Sequence, residues 1–158
     1  MKEDSAFEKK MSLGDATHRK LMRDFRLYML VGGMPQAVND YLETQNLNIV
    51  DQRKRSILDL YDQDFYHLDT SGLTSQLFHA IPSQLTGNAS RYKVSSVITD
   101  GRIDRLQEQI AILKDSMTVN IAYHANDPSA GLAQHISLDQ FKLFCADTGL
   151  FVTLAFWD

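Results

Sequence analysis

The apolar residues of this chain change their period near residue 118, and that switch limits the folds open to it. Ile103, Leu106, Ile110, Leu113 and Met117 recur at three- and four-residue steps, the spacing of one face of an α-helix. Beyond them Val119, Ile121, Tyr123 and Ala125 alternate with Asn120, Ala122 and His124, as on a strand with one face buried. The spacing predicts a helix over 102–117 followed by a strand, which Asn126-Asp127-Pro128 stops. Residues 129–134 are small and polar enough for a loop, and residues 140–145 read as a returning strand before Asp147-Thr148-Gly149 turns the chain.

Upstream of the switch the pattern is helical. Leu21, Met22, Phe25, Tyr28 and Met29 fall on one stripe, and Arg19, Lys20, Arg23, Asp24 and Arg26 fill the opposite face. Gly32 and Gly33 break this helix, and Pro35 suits the first turn of the next, which carries Ala37, Val38, Tyr41 and Leu42. Ile57, Tyr61, Phe65 and Leu68 mark a third helix over 49–68. After Ser71-Gly72, residues Leu77, Phe78 and Ile81 predict a helix bent or restarted at Pro82 and ended by Thr86-Gly87-Asn88, and Tyr92, Val94 and Val97 predict a short one.

Helices followed by a hairpin make a mainly α chain with a small β part, of the α+β class. Three helices and a two-stranded wing are the element order of a winged helix. The chain is therefore read as a helical segment over 1–69 and a winged-helix-like part over 70–158, packed as one unit.

Composition narrows what such a domain does. At 158 residues the chain has the size of one ordinary domain, and its 16 Lys+Arg against 20 Asp+Glu give a net charge of -4. That balance argues against an affinity built mainly on neutralising phosphates. The single cysteine, Cys145, cannot close an internal disulfide, which suits a reducing compartment, with the cytoplasm as the expected location. No apolar run is long enough to span a bilayer, and the first eleven residues lack the apolar centre of a signal peptide.

Three strings occur together: Tyr28-Met-Leu-Val-Gly-Gly-Met-Pro-Gln-Ala-Val38, Ile81-Pro-Ser-Gln-Leu85 and Phe141-Lys-Leu-Phe-Cys-Ala-Asp-Thr-Gly-Leu150, with Tyr61-Asp-Gln-Asp64-Phe65 between the first two. In order and spacing they resemble the C-terminal region, a domain of unknown function, of a large prokaryotic family of predicted AAA-type P-loop ATPases. The resemblance covers roughly residues 13–155. It implies a partner, the ATPase domain, and places ATP and magnesium there. This chain has no G-x-x-x-x-G-K-[ST] loop to hold a nucleotide. Family members continue past the Asp-Thr-Gly-Leu string into a segment resembling restriction-endonuclease-like folds, so the chain reads as a middle fragment or a remnant of such a protein. Gly32, Gly33, Pro35, Asp64, Asp147 and Gly149 are the motif positions, read as structural.

Each chemical candidate has a plainer alternative. Asp59, Asp62, Asp64, His67 and Asp69 crowd one stretch, but Asp62 and Asp64 lie about 160° apart around a helix axis, so a solvated acidic face is expected rather than a cation site. Gly32 and Gly33 could precede an anion-binding helix N-terminus, yet no lysine or arginine follows closely, and a tight corner suffices. Cys145 lacks a flanking charge and reads as a buried thiol. His18, His67, His79, His124 and His135 are scattered without metal-ligand spacing.

Nucleic acid is the remaining class. A winged helix would expose Arg102, Arg105, Gln107, Gln109 and Lys114 on its third helix, with Arg91 and Lys93 before it, and these side chains can meet phosphates or base edges. Against this, residues 70–145 hold six basic and six acidic side chains. The expectation is therefore a non-enzymatic accessory module, without a cofactor of its own, that docks on the ATPase domain or another protein. The helix carrying Leu21, Phe25 and Tyr28 would complete the core or offer an interface. DNA binding through helix 102–117 and hairpin 119–145 is the alternative.

Overall fold

The computed structural model describes residues 14–86, 90–99, 101–102, 106–126 and 136–157. The chain is mainly helical with one antiparallel hairpin. Helix α1, Asp15–Val31, ends where Gly32 takes a φ of 79° and returns its N–H to the Tyr28 carbonyl at 2.8 Å. Pro35 opens α2, Pro35–Thr44, with its ring at a position that needs no amide hydrogen. The Asn46 side chain caps α3, Leu47–Leu68, by accepting from the Asn48 N–H at 2.9 Å.

Asp69 then organises the turn into α4, Leu73–His79. Its carboxylate accepts from the Thr74 N–H at 2.9 Å and the Thr74 hydroxyl at 2.8 Å, and from the Ser71 hydroxyl and N–H. Gly72 turns the corner at a φ of 72°. The helix restarts as α5, Ile81–Thr86, with Pro82 in its first turn. A single 3-10 turn, Val94–Ser96, stands where the spacing predicts a short α-helix.

Helix α6 covers Gln107–Asp115 rather than 102–117. Arg102 precedes it in irregular chain, and residues 103–105 lie outside the described residues. Its far end is cut short because Met117 adopts a φ of 55°, leaves the apolar stripe and stands 81% exposed while the chain turns into β1. Strand β1, Val119–Ala125, keeps the alternation of its sequence, with Val119 buried and Asn120, Ala122 and His124 exposed. Its partner β2, Ile136–Cys145, begins earlier than the alternation suggests, because an irregularity between Tyr123 and His124 lets residues 136–137 pair with the end of β1. Asp147-Thr148-Gly149 is not a free turn: Asp147 caps α7, Thr148–Ala155, accepting from the Leu150 N–H at 2.8 Å. The apolar run 150–156 lies in this helix up to Ala155.

One core joins the two halves of the chain. Ile57, Leu58 and Phe65 of α3 pack with Leu77 and Phe78 of α4, Leu113 of α6, Phe141 and Leu143 of β2, and Leu150 and Leu154 of α7. The Phe65 and Phe78 rings lie 5.4 Å apart, and Tyr92 stacks on Phe141 at 5.9 Å. The buried Tyr92 hydroxyl donates to the Leu77 carbonyl at 2.7 Å. A smaller cluster of Val31, Ala37 and Val50 holds the α1–α2 corner against α3.

Candidate functional site

The motif residues Gly32, Gly33, Asp147 and Gly149 meet at one point. The Asp147 carboxylate, besides capping α7, accepts from the Gly33 N–H at 2.6 Å. A side chain on Gly149 would strike the Val31 carbonyl oxygen at 2.5 Å and Gly32 N and Cα at 2.7 Å. Two backbones therefore touch here without side chains between them. The anion that the glycine pair before α2 could attract is supplied by the chain itself, as a carboxylate 114 residues away.

Lys54 closes the same junction from below. It is 4% exposed, and its Nζ donates to the Leu30 carbonyl at 2.8 Å and the Gly149 carbonyl at 3.3 Å. Burial pushes its pKa down, and the nearby carboxylates of Asp51 and Asp147 partly oppose that. Leu30 lies in the last turn of α1, where carbonyls lack helical partners, so an ammonium suits the place. Lys54 sits at the floor of a cleft of about 140 Å³ lined by Leu30, Leu47, Val50, Asp51 and Val152.

A second polar cluster ties the end of α7 to α3 and α4. Arg55 donates to the Trp157 carbonyl at 2.8 Å and the Phe156 carbonyl at 3.0 Å, pairs with Asp51 at 2.9 Å, and lies 5.1 Å over the Trp157 ring. His79 meets that ring edge-on at 5.7 Å, and its Nε2 is 2.8 Å from Asp62. Ser75 donates to the same carboxylate at 2.5 Å. Burial opposes ionisation of Asp62, but these two partners outweigh it and hold its carboxyl below the ordinary value. The hydroxyl and the imidazole both bind the acid, so this is not the order of a nucleophile activated by a base.

Among the described residues, the candidate nucleic-acid side chains border two separate hollows. Arg91 and Lys93 border a concavity of about 290 Å³ with Ser95, Gly101 and Asp139. The Ser137 hydroxyl, with Arg91 nearby, holds the Asp139 carboxyl below its usual range. Lys114 borders another hollow with Ile110, Tyr123 and Leu138. Gln109, expected on the exposed face, is only 9% exposed, because Leu106, Gln109 and Leu113 share the inward side of α6. Arg102 is exposed before the helix, and Arg105 lies outside the described residues.

The acidic residues of α3 also separate. Asp62 is half-buried against His79, whereas Asp59 and Asp64 are exposed. Among the described residues no three His, Cys, Asp or Glu side chains gather in a metal-binding group. Nor is any described helix long and apolar enough to cross a membrane.

Helix α1 exposes several large apolar side chains. Residues 15–26 are all exposed, and Leu27 packs on the small cluster of Val31, Ala37 and Val50. Leu21 is 54%, Phe25 49% and Tyr28 58% exposed, on one stripe.

A family model for a domain of unknown function, DUF8612, matches residues 22–158. The chain belongs to the DUF8612 family. The matched span runs from the middle of α1 to the end of the chain and includes the glycine corner, the Asp147 cap and Lys54. No curated protein and no solved structure matches the chain.

Two features of this DUF8612 domain escaped the sequence reading. Lys54 stands four residues after Val50 and three before Ile57, a cation inside an apolar stripe, and that position was its signal. The cap at Asp147 was signalled by an Asp-Thr-Gly string ahead of an apolar run.

Proposed function

We propose that this DUF8612 domain is a non-enzymatic accessory module that works by contact, docking through α1 on a partner protein. The resemblance of its motif strings suggests the P-loop domain of an AAA-type ATPase in the cytoplasm as that partner, with ATP and magnesium bound there. The observation that carries the reading is the exposure of Leu21, Phe25 and Tyr28 on one stripe of α1, whose residues 15–26 are all exposed. Residues 15–26 extend about 18 Å at 1.5 Å per residue. Three exposed turns are marginal in water on their own, and an apolar stripe at i, i+4 and i+7 is what a partner groove accepts. In this reading the winged-helix-like part packs and contacts protein. Duplex binding has less support, because Gln109 is buried and an acid stands beside Arg91.

The test mixes the purified chain with its cognate ATPase domain, and measures complex formation and ATP turnover. The expected result is a complex that Phe25→Asp weakens while the circular dichroism spectrum of the chain stays the same. No complex and unchanged turnover remove the proposal.

A further inference from the structure

The surface that fits α1 is present on the chain itself. Over residues 15–31 four cations, Arg19, Lys20, Arg23 and Arg26, face two acids, Asp15 and Asp24, a net charge of +2. Residues 32–158 carry nine cations against fifteen acids, a net charge of -6. The projecting helix is thus opposite in sign to the body that carries it.

The body also offers a place of the right shape. Along the outer side of α3, Ile49, Arg53, Ser56 and Leu60 follow one another at three- and four-residue steps, all exposed, Leu60 at 56%. Beside α2 this strip hollows into a groove of about 240 Å³ lined by Asp40, Ile49, Gln52, Arg53 and Ser56. Its cation is already taken: Arg53 donates to Asp40 at 2.7 Å. Glu43 on α2, three residues from Asp40, and Asp59 on α3, three residues from Ser56, are acidic and exposed. Apolar points flanked by acids suit a helix with Leu21, Phe25 and Tyr28 on one side and Arg19, Arg23 and Arg26 on another.

We infer that the partner of α1 is a second copy of this chain, each copy laying the basic, apolar face of α1 on the acidic α2–α3 groove of the other. This rests on the reading of α1 as a docking helix and gives that helix a second copy of the chain, in place of the ATPase domain, as its occupant. The exchange is reciprocal, so two copies close on each other without exposing a further α1. The apolar contacts hold the pair, and the charges select the acidic groove and make association sensitive to salt.

Light scattering on the full chain, over a broad range of concentration and at low and high salt, reads the inference directly. The expected result is a mass of two chains that falls to one on dilution, with the midpoint moving to higher concentration as salt rises. Phe25→Asp is expected to weaken the pair at least tenfold while leaving the fold intact, since Phe25 is about half exposed and lies outside both core clusters. Arg23→Glu and Asp59→Lys should each weaken it, and the two variants mixed one to one should recover part of the loss, because each then meets an opposite charge. A monomer at every concentration, a dimer indifferent to Phe25→Asp, or a mixture no tighter than either variant alone overturns the inference. A monomer that still captures the ATPase domain through Phe25 overturns the second copy and leaves the docking reading standing, and a monomer that captures nothing overturns both.

Discussion

The Asp147 carboxylate accepts hydrogen bonds from Gly33 N–H at 2.6 Å and Leu150 N–H at 2.8 Å, so one side chain caps α7 and fastens the α1–α2 corner to it. Each oxygen serves a different amide. Asp147→Ala removes both acceptors and leaves amides without partners at a site where Asp147 itself is buried. The expected loss is about 2–4 kcal/mol, measured by urea denaturation. Asp147→Asn keeps one acceptor oxygen and should lose less.

The contact of the two backbones at the same junction predicts a contrast among the glycines. In Gly149→Ala the new methyl meets the Val31 carbonyl at 2.5 Å and Gly32 at 2.7 Å, all backbone atoms that cannot step aside. A loss of about 2–4 kcal/mol is expected. Gly33→Ala meets only the Asp147 Oδ2 at 3.4 Å, and its effect should stay within about 1 kcal/mol. Equal effects of the two substitutions in thermal melts would show that the close approach is absent.

Acid should weaken the fold through Asp69. Burial opposes its ionisation, but hydrogen bonds from Ser71 and Thr74 outweigh it and bring its pKa to about 2. A carboxyl lowered in the folded state stabilises the fold above its unfolded value near 4, and that contribution is lost as pH falls from about 4 through about 2. Its size is at most about 2 kcal/mol, from 1.36 kcal/mol per unit. Urea midpoints measured down this pH range should fall less steeply in Asp69→Asn than in the parent chain. Parallel curves would show that Asp69 contributes no acid dependence.

Cys145 should be a slow thiol. Burial pushes its pKa to about 11, so at neutral pH its thiolate is about a hundredfold rarer than that of an ordinary cysteine. Labelling with a disulfide reagent should be slow in the folded chain and speed up in urea by about that factor or more. Equal rates would place the thiol at the surface.

How much of this was legible depended on how local the cause is. The corner at Gly32 was readable because a positive φ and a proline in the next first turn are demands of single residues. The alternation of β1 was readable for the same reason, a period set by the backbone. Helix α6 was drawn too long, because Ile103 and Met117 continue its spacing whether or not the chain is helical there. Gln109 was placed outward because a polar side chain says nothing of the side it takes once Leu106 and Leu113 turn inward on either hand.

The sequence by itself determined the class of the fold, the order of helices and hairpin, and the amphipathic stripe of α1, since periodicity and turn chemistry act over a few residues. The tertiary structure decided what those elements do to one another. It brought Asp147 to Gly33 and Lys54 to the carbonyls of Leu30 and Gly149, contacts between residues too far apart in the chain for any local pattern to encode. It also left the first twelve residues of α1 outside the core, because the apolar stripe that could have packed inward lies on a different side of the helix from Leu27 and Val31, which already fill the place against α2 and α3.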